Sequence, residues 1–223
     1  MRQQVVRIIS IQHITHDVLQ IETEKPKNFS FKPGQATEVS INKNGWEAEK
    51  RPFTFTSLPE DDFLQFTIKT YPSHKSVTNK LLELSANDEL LLHEVFGEIA
   101  YKGEGTFIAG GAGVTPFICI LRYLKSKGEI GENKLIFANN TKADIILEQE
   151  FKDLLGNNFI NILSHDFAEG FEHGFINSDF LKMHITGIDK NIYLCGPPPM
   201  MVAVEKLLKE INFEKKLIIK EAF

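Results

Sequence analysis

Near residue 100 the periodicity of the chain changes, and the two halves call for different sheets. Before that point short runs rich in β-branched and aromatic residues dominate. Residues 4–15, 18–23, 37–41, 53–56, 63–69 and 89–93 read as strands, parted by turn signals such as Lys32-Pro33-Gly34 and Asn42-Lys43-Asn44-Gly45. Only residues 76–84 read as a helix. Five or six short strands with one helix predict a small antiparallel β-barrel. After residue 104 strand and helix alternate. Strands are expected at 105–109, 134–138, 159–163, 191–194 and 216–220, and helices at 117–127, 148–155, 178–184 and 199–210, with Gly128 as the stop of the first helix. That rhythm predicts a parallel sheet wrapped by helices. The expected division is therefore 1–100 for the barrel and 101–223 for an α/β domain, with the boundary in Tyr101-Lys102-Gly103-Glu104-Gly105.

The 223 residues are enough for two small domains, and 42% hydrophobic against 25% charged residues can bury a real core. No run of 18 apolar residues marks a membrane span. The opening Met1-Arg2-Gln3-Gln4-Val5-Val6 leads straight into a strand-like run, without the apolar stretch of a signal peptide. Two cysteines, Cys119 and Cys195, cannot supply the four thiolates of an iron–sulfur cluster, and so few in a medium-sized chain suggest a cytoplasmic protein without disulfides. The net charge of −5 argues against nucleic acid or anionic membrane as partner.

Three segments carry chemistry. The first is Arg51-Pro52-Phe53-Thr54-Phe55-Thr56-Ser57. On one continuous strand Arg51, Phe53, Phe55 and Ser57 would share a face, with Thr54 and Thr56 on the other. An Arg fork suits a pyrophosphate, and an aromatic beside it can cover a flat ring. Downstream, Lys75-Ser76-Val77-Thr78-Asn79 opens the one helix of this half, where a Ser cap or a phosphate site is expected. The second segment is Gly111-Ala112-Gly113-Val114-Thr115-Pro116, between a strand and a helix. Its glycines allow close backbone approach to a pyrophosphate, Pro116 fits a first helical turn, and Thr115 is the expected N-cap. The third is Cys195-Gly196-Pro197-Pro198-Pro199-Met200, at the end of an apolar strand, where open α/β sheets place ligands. Cys119, inside a helix, reads as a small buried hydrophobe. The spacing of His13 and His16 is metal-like but lacks carboxylate support in the sequence, and no metal site is expected.

In this order, and with Glu221-Ala222-Phe223 at the end, these segments resemble the ferredoxin–NAD(P) reductase family of flavoenzymes. The resemblance spans nearly the whole chain. It implies FAD on the barrel (FMN stays open) and NAD(P)H on the α/β half. It assigns Arg51, Pro52, Phe53, Thr54, Ser57, Ile68, Lys69, Tyr71, Ser76, Val77 and Thr78 to the flavin. Phe53 would pack on the ring and Thr54 would bond near N5. The family usually has Tyr where this chain has Phe53, so a hydroxyl to the ribityl chain is missing. It assigns Gly111, Ala112, Gly113, Val114, Asn139, Asn140, Gly196, Pro197, Pro198 and Met200 to the nicotinamide nucleotide, with Thr115 touching its ring. Cys195 would lie against the ring by shape and polarity, Phe223 would gate the flavin, and Glu221 would serve the transferred hydride or a proton. The strand ending Phe137-Ala138-Asn139-Asn140-Thr141-Lys142 offers amides and no Arg for a 2′-phosphate, which favours NADH over NADPH. The implied activity is a flavin-dependent reductase passing electrons to a protein acceptor such as flavodoxin or ferredoxin, or to a small molecule. A free-flavin reductase, an oxygenase-component reductase and a non-catalytic flavin- or nucleotide-binding module remain alternatives.

Overall fold

The computed structural model describes residues 3–71, 76–185, 191–213 and 217–221. Six antiparallel strands form the first sheet: β1 (Gln4–His13), β2 (Val18–Glu24), β3 (Ala36–Ile41), β4 (Arg51–Thr54), β5 (Phe63–Lys69) and β6 (Glu89–Phe96). Their order is β4-β3-β6-β1-β2-β5. Past Thr54 the chain leaves β3 and bridges β5 through Phe55 and Phe66, which brings the two ends of the sheet together as a barrel. Inward residues alternate along each strand, among them Val6 and Ile8, Leu19 and Ile21, Val39 and Ile41, and Leu64, Phe66 and Ile68. Phe55 sits at the centre, its ring centroid 4.2 Å from Phe31 and 5.3 Å from Phe66.

The helix expected over residues 76–84 is shorter in the structure. One α-turn, α1 (Val77–Lys80), passes directly into a 3-10 turn, Leu81–Glu83. No side chain caps its start, no acid lies in its first turn, and the β-branched pair Val77-Thr78 opens it, so little favours propagation. Val77 and Leu81 instead drop into the barrel core.

The second sheet is wholly parallel: β7 (Gly105–Gly110), β8 (Lys134–Asn139), β9 (Phe159–Leu163), the two-residue β10 (Glu172–His173), β11 (Asn191–Cys195) and β12 (Ile218–Lys220), in the order β10-β9-β8-β7-β11-β12. β7 is buried along its whole length, as a central strand covered on both faces must be. Phe107 and Ala109 face one apolar layer with α2 (Thr115–Lys127) and α3 (Glu148–Leu155). Ile108 faces the other, with α4 (Ser178–His184) and α5 (Pro198–Glu210). α2 stops where expected, at Gly128 with φ +71.

The strand order reverses between β7 and β11. An open parallel sheet binds ligands outside the carboxyl ends of its strands at such a point. Gly110 ends β7 and Cys195 ends β11, so this reversal carries two of the three segments singled out above.

Candidate functional site: the cleft between barrel and sheet

A cleft of about 950 Å³ opens at the strand-order reversal, between the barrel and the parallel sheet. Pocket volumes for organic ligands run from about 300 to 1,000 Å³, so this one suits a large or a composite ligand. The barrel lines it with Pro52, Phe53 and Thr54 of β4, Thr67, Ile68 and Lys69 of β5, then Tyr71 and Thr78. The α/β half lines it with residues 110–113, Thr115, Asn139, Asn140, Gly196, Pro197, Pro198 and Met200. Most of the residues read from the sequence are thus brought to one surface.

Close approach explains two of the glycines. A Cβ on Gly113 would stand 2.4 Å from the Cys195 carbonyl oxygen and 2.6 Å from Gly196 Cα, and one on Gly110 would stand 2.2 Å from Met200 Sδ. At Gly113 the turn after β7 therefore lies directly against the backbone at the end of β11, and a side chain there would force them apart, whereas at Gly110 the main obstacle is the movable Met200 side chain of α5. That 3-10 turn, Gly111–Val114, runs straight into α2, with Pro116 in the first turn. Thr115 is not the N-cap. It already has helical φ and ψ (−57°, −43°), and its hydroxyl donates to the Ala112 carbonyl at 3.0 Å, while Val114 precedes the helix without a capping side chain.

Asn139 carries the clearest sign of a ligand. It closes β8 on the cleft and is 8% exposed, yet neither end of its amide has a hydrogen-bond partner among the described residues. A buried amide in that state costs about 1–3 kcal/mol unless something polar meets it. Asn140 is committed differently, its Oδ1 accepting from Ser164 Oγ at 3.1 Å.

Several expected residues stand off the cleft. Of the face expected for residues 51–57, Phe53 and Phe55 both pack on the barrel core, but past Thr54 the chain bridges β5 and leaves the cleft. Phe55 is buried in the barrel, and Ser57 is buried with its hydroxyl accepting from the Gln65 N–H at 3.0 Å. Arg51 is exposed on β4, its Nη1 donating to the Lys50 carbonyl at 2.6 Å. Val77 and Val114 have their side chains buried in the cores of their halves. Ser76 Oγ lies 2.9 Å from Thr78 Oγ1 and caps no N–H. Phe223 and Lys75 lie outside the described residues.

Cys195 is fully buried behind the cleft wall. Burial, with Glu221's charge adding to it, pushes its thiol up to about 12. Such a thiol is neutral at working pH and fills space rather than attacking. Burial pushes Cys119 up to about 12 as well; its Sγ donates to the Ser57 carbonyl at 3.0 Å, and neither cysteine is in a disulfide. Burial also holds Glu221 above the usual carboxylate value, against the Glu98 and Ile99 N–H groups that face it. Its Oε2 is buried and lacks a hydrogen-bond partner of ordinary geometry among the described residues.

At the lip, His16 Nε2 stands 3.7 Å from Asp17 and 3.6 Å from Asp144, which joins the barrel to the α/β half. The fold thus gives His16 the carboxylate neighbours that the sequence does not show, although Asp17 also meets Lys69 Nζ at 2.7 Å and Asp144 accepts from the Thr141 N–H and hydroxyl. His13 takes no part in this group. The sequence reading passed over Thr67, Ser164 and Phe175, all on the cleft wall; Phe175 is 78% exposed there. A lone exposed Phe in a glycine-rich loop carries no periodic signal.

Among the described residues no helix is long and apolar enough to cross a membrane. An FAD-binding domain family matches residues 3–112, and the oxidoreductase NAD-binding domain family matches residues 107–206. NADH-cytochrome b5 reductase 1 of Mortierella alpina is 32% identical over 196 residues, 82% of this chain and 65% of that protein. The reductase component of propane 2-monooxygenase from Mycolicibacterium goodii is 29% identical over 235 residues, 97% of this chain and 66% of that protein. The chain thus spans just under two thirds of the length of these relatives. A ferredoxin NADP+ reductase from Neisseria gonorrhoeae, solved with FAD and NADP, superposes with a TM-score of 0.86 at 16% identity, over 99% of this chain and 98% of that one. The flavohaemoglobin-like FAD/NAD-binding domain of Vibrio cholerae nitric oxide dioxygenase gives 0.88 at 20% identity, over 99% and 98%. The chain thus carries an FAD-binding domain followed by an oxidoreductase NAD-binding domain, meeting at one cleft, in the fold of the ferredoxin NADP+ reductase and flavohaemoglobin-like structures.

Proposed function

We propose that this protein is an NAD(P)H-dependent flavoprotein reductase that holds FAD against the barrel and NADH against the parallel sheet. The observation that carries this reading is the shared cleft. Pro52, Phe53 and Thr54 line one side, and the glycine turn, Thr115 and Asn139 line the other. FAD bound there would take two electrons with a hydride from the nicotinamide and pass them onward. The domain boundary falls near residue 100 in this reading.

The chain's own groups fit these tasks. Phe53 offers its ring as a platform, and Thr54, buried beside it, offers backbone and hydroxyl to the flavin edge. Arg51 and the start of α1 would meet the pyrophosphate, Arg51 by swinging from the Lys50 carbonyl. Thr115, with residues 110–113, would set the nicotinamide on the turn, and the Asn139 amide would receive one of its polar groups. Cys195, neutral and buried, would support the wall behind the ring. Glu221 and Phe223 would close the flavin side. NADH is favoured because Asp144 lies on the cleft wall and Lys142 is placed over the Phe171 ring at 5.3 Å, away from a phosphate role.

The acceptor we assign is a redox protein: flavodoxin, ferredoxin, or an oxygenase or haem component like those served by the relatives above. The test of cofactor identity is release by denaturation. FAD is expected in the supernatant near one equivalent; a colourless protein that takes up neither FAD nor FMN would sink the proposal.

A further inference from the structure

This inference rests on reading the cleft as a hydride-transfer site. α2 presents Thr115 to the cleft at its first turn, and Arg122 lies about two turns further along the same helix, off the cleft. Arg122 Nη1 donates to the Thr56 carbonyl at 2.6 Å and to Gln65 Oε1 at 2.8 Å. Its Nε and Nη2 donate to the two Glu150 oxygens at 2.6 and 2.8 Å. One guanidinium therefore joins three elements: the segment after β4, β5, and α3.

The bonds continue toward the cleft. Thr56 follows Thr54 by two residues, and its hydroxyl lies 3.2 Å from that of Thr67; both Thr54 and Thr67 line the cleft. They also run outward, since Gln65 Nε2 donates to Glu22 Oε1 at 3.2 Å and Ser10 Oγ donates to Glu22 Oε2 at 3.0 Å. The neighbouring Cys119–Ser57 contact docks the same helix on the same segment. A planar fork can serve a carboxylate with one edge and a carbonyl with the other, which a lysine ammonium does less rigidly.

In such a reaction the two rings would be held by different halves of the chain. A bound dihydronicotinamide would supply a hydride, the C4 hydrogen with both electrons of its bond, and a bound flavin would receive it at N5, so that the first is oxidised and the second reduced by two electrons. Reacting atoms must come within about 3–3.5 Å, and an error of about 1 Å costs roughly a hundredfold in rate. We propose that Arg122, clamped by Glu150, is a positioning residue for this step: it sets the flavin strand Pro52–Thr54 against the turn and Thr115 without touching either cofactor. It exchanges no proton and no electron.

The test uses the full chain with FAD, as wild type, Arg122→Met, Arg122→Lys and Glu150→Gln. Dissociation constants for FAD and NAD+ are read from visible spectra, and the limiting rate of flavin reduction from anaerobic mixing with NADH and with 4-deuterated NADH. Amide exchange around Thr56 and Thr67 is followed in the FAD-free chain. Arg122→Met is expected to reduce the limiting rate roughly 10- to 100-fold, with both dissociation constants within about threefold of wild type. Exchange at Thr56 should quicken, and Arg122→Lys should recover part of the rate. If Arg122→Met does not fold, Arg122→Lys and Glu150→Gln still read the same effect, with smaller losses. A folded Arg122 variant reduced at the wild-type rate, or one whose rate loss is matched by an equal loss of FAD affinity, overturns the inference. A wild-type protein that holds FAD but is reduced by neither NADH nor NADPH overturns the reading of the cleft, and the inference with it.

Discussion

Replacing Gly113 with alanine tests the geometry of the cleft at its tightest point. The new Cβ would stand 2.4 Å from the Cys195 carbonyl oxygen and 2.6 Å from Gly196 Cα, where ordinary contact begins at 3.4 Å. Both obstacles are backbone, so no rotamer change relieves them, and the turn must retreat from β11 by about 1 Å. Overpacking of this kind costs about 1–3 kcal/mol of stability, a fall of a few degrees in Tm. The larger effect is on function, because the displaced turn carries Thr115 and the wall of the cleft proposed for the nicotinamide. Flavin reduction by NADH should slow by roughly a hundredfold, while flavin content stays full because β4 and β5 are untouched. Gly111→Ala is the contrast: its Cβ meets nothing within 4 Å, and its φ of +51° costs about 1–2 kcal/mol without pushing any neighbour. The assay is anaerobic stopped-flow reduction of FAD-replete protein, with melting curves alongside. Gly113→Ala at full flavin occupancy, reduced at the wild-type rate, would refute the reasoning.

Other outcomes follow from the same geometry. Arg51→Ala should fold normally but purify paler, with FAD binding weakened by about 1.5–3 kcal/mol in a spectral titration; unchanged affinity removes Arg51 from the phosphate role. Burial of both thiols means that neither Cys119 nor Cys195 should react with a disulfide reagent at about pH 8 until the protein is denatured, and rapid labelling of the native protein would contradict the packing. Burial raises Glu221 above its ordinary 4.5, so its contribution to stability is complete below that value and is lost as pH rises through the folded-state value. Glu221→Gln should therefore flatten that part of the pH–Tm curve and melt higher than wild type at neutral pH; parallel curves would refute the assignment. Asn139→Leu should raise Tm, since it removes a buried amide that has no partner among the described residues, while weakening NAD+ binding; a gain in both would show that the amide meets no nucleotide.

How much of this was legible in the sequence depends on how local the cause is. β5, α3 and α4 have the bounds that pattern alone gives, because their apolar periods are clean and their ends are marked. The alternation expected over residues 51–57 does put Phe53 and Phe55 on one core, but it does not announce that the chain passes from β3 to β5 after Thr54, which takes Phe55 and Ser57 off the cleft. Thr115 is not a cap because the preceding turn is already helical, which a Gly-rich sequence does not announce. Arg122 carried no signal at all. Its partners Glu150, Gln65 and Thr56 are 28, 57 and 66 residues away, and only the docked domains bring them to one guanidinium.

The most direct test of the central claim is the visible spectrum of the purified protein, loaded with FAD and kept free of oxygen, before and after one equivalent of NADH. A flavin band that bleaches within the mixing experiment, and returns when an oxidant is admitted, is the expected result. A flavin band that neither NADH nor NADPH diminishes would contradict the assignment of both halves of the cleft to one reaction.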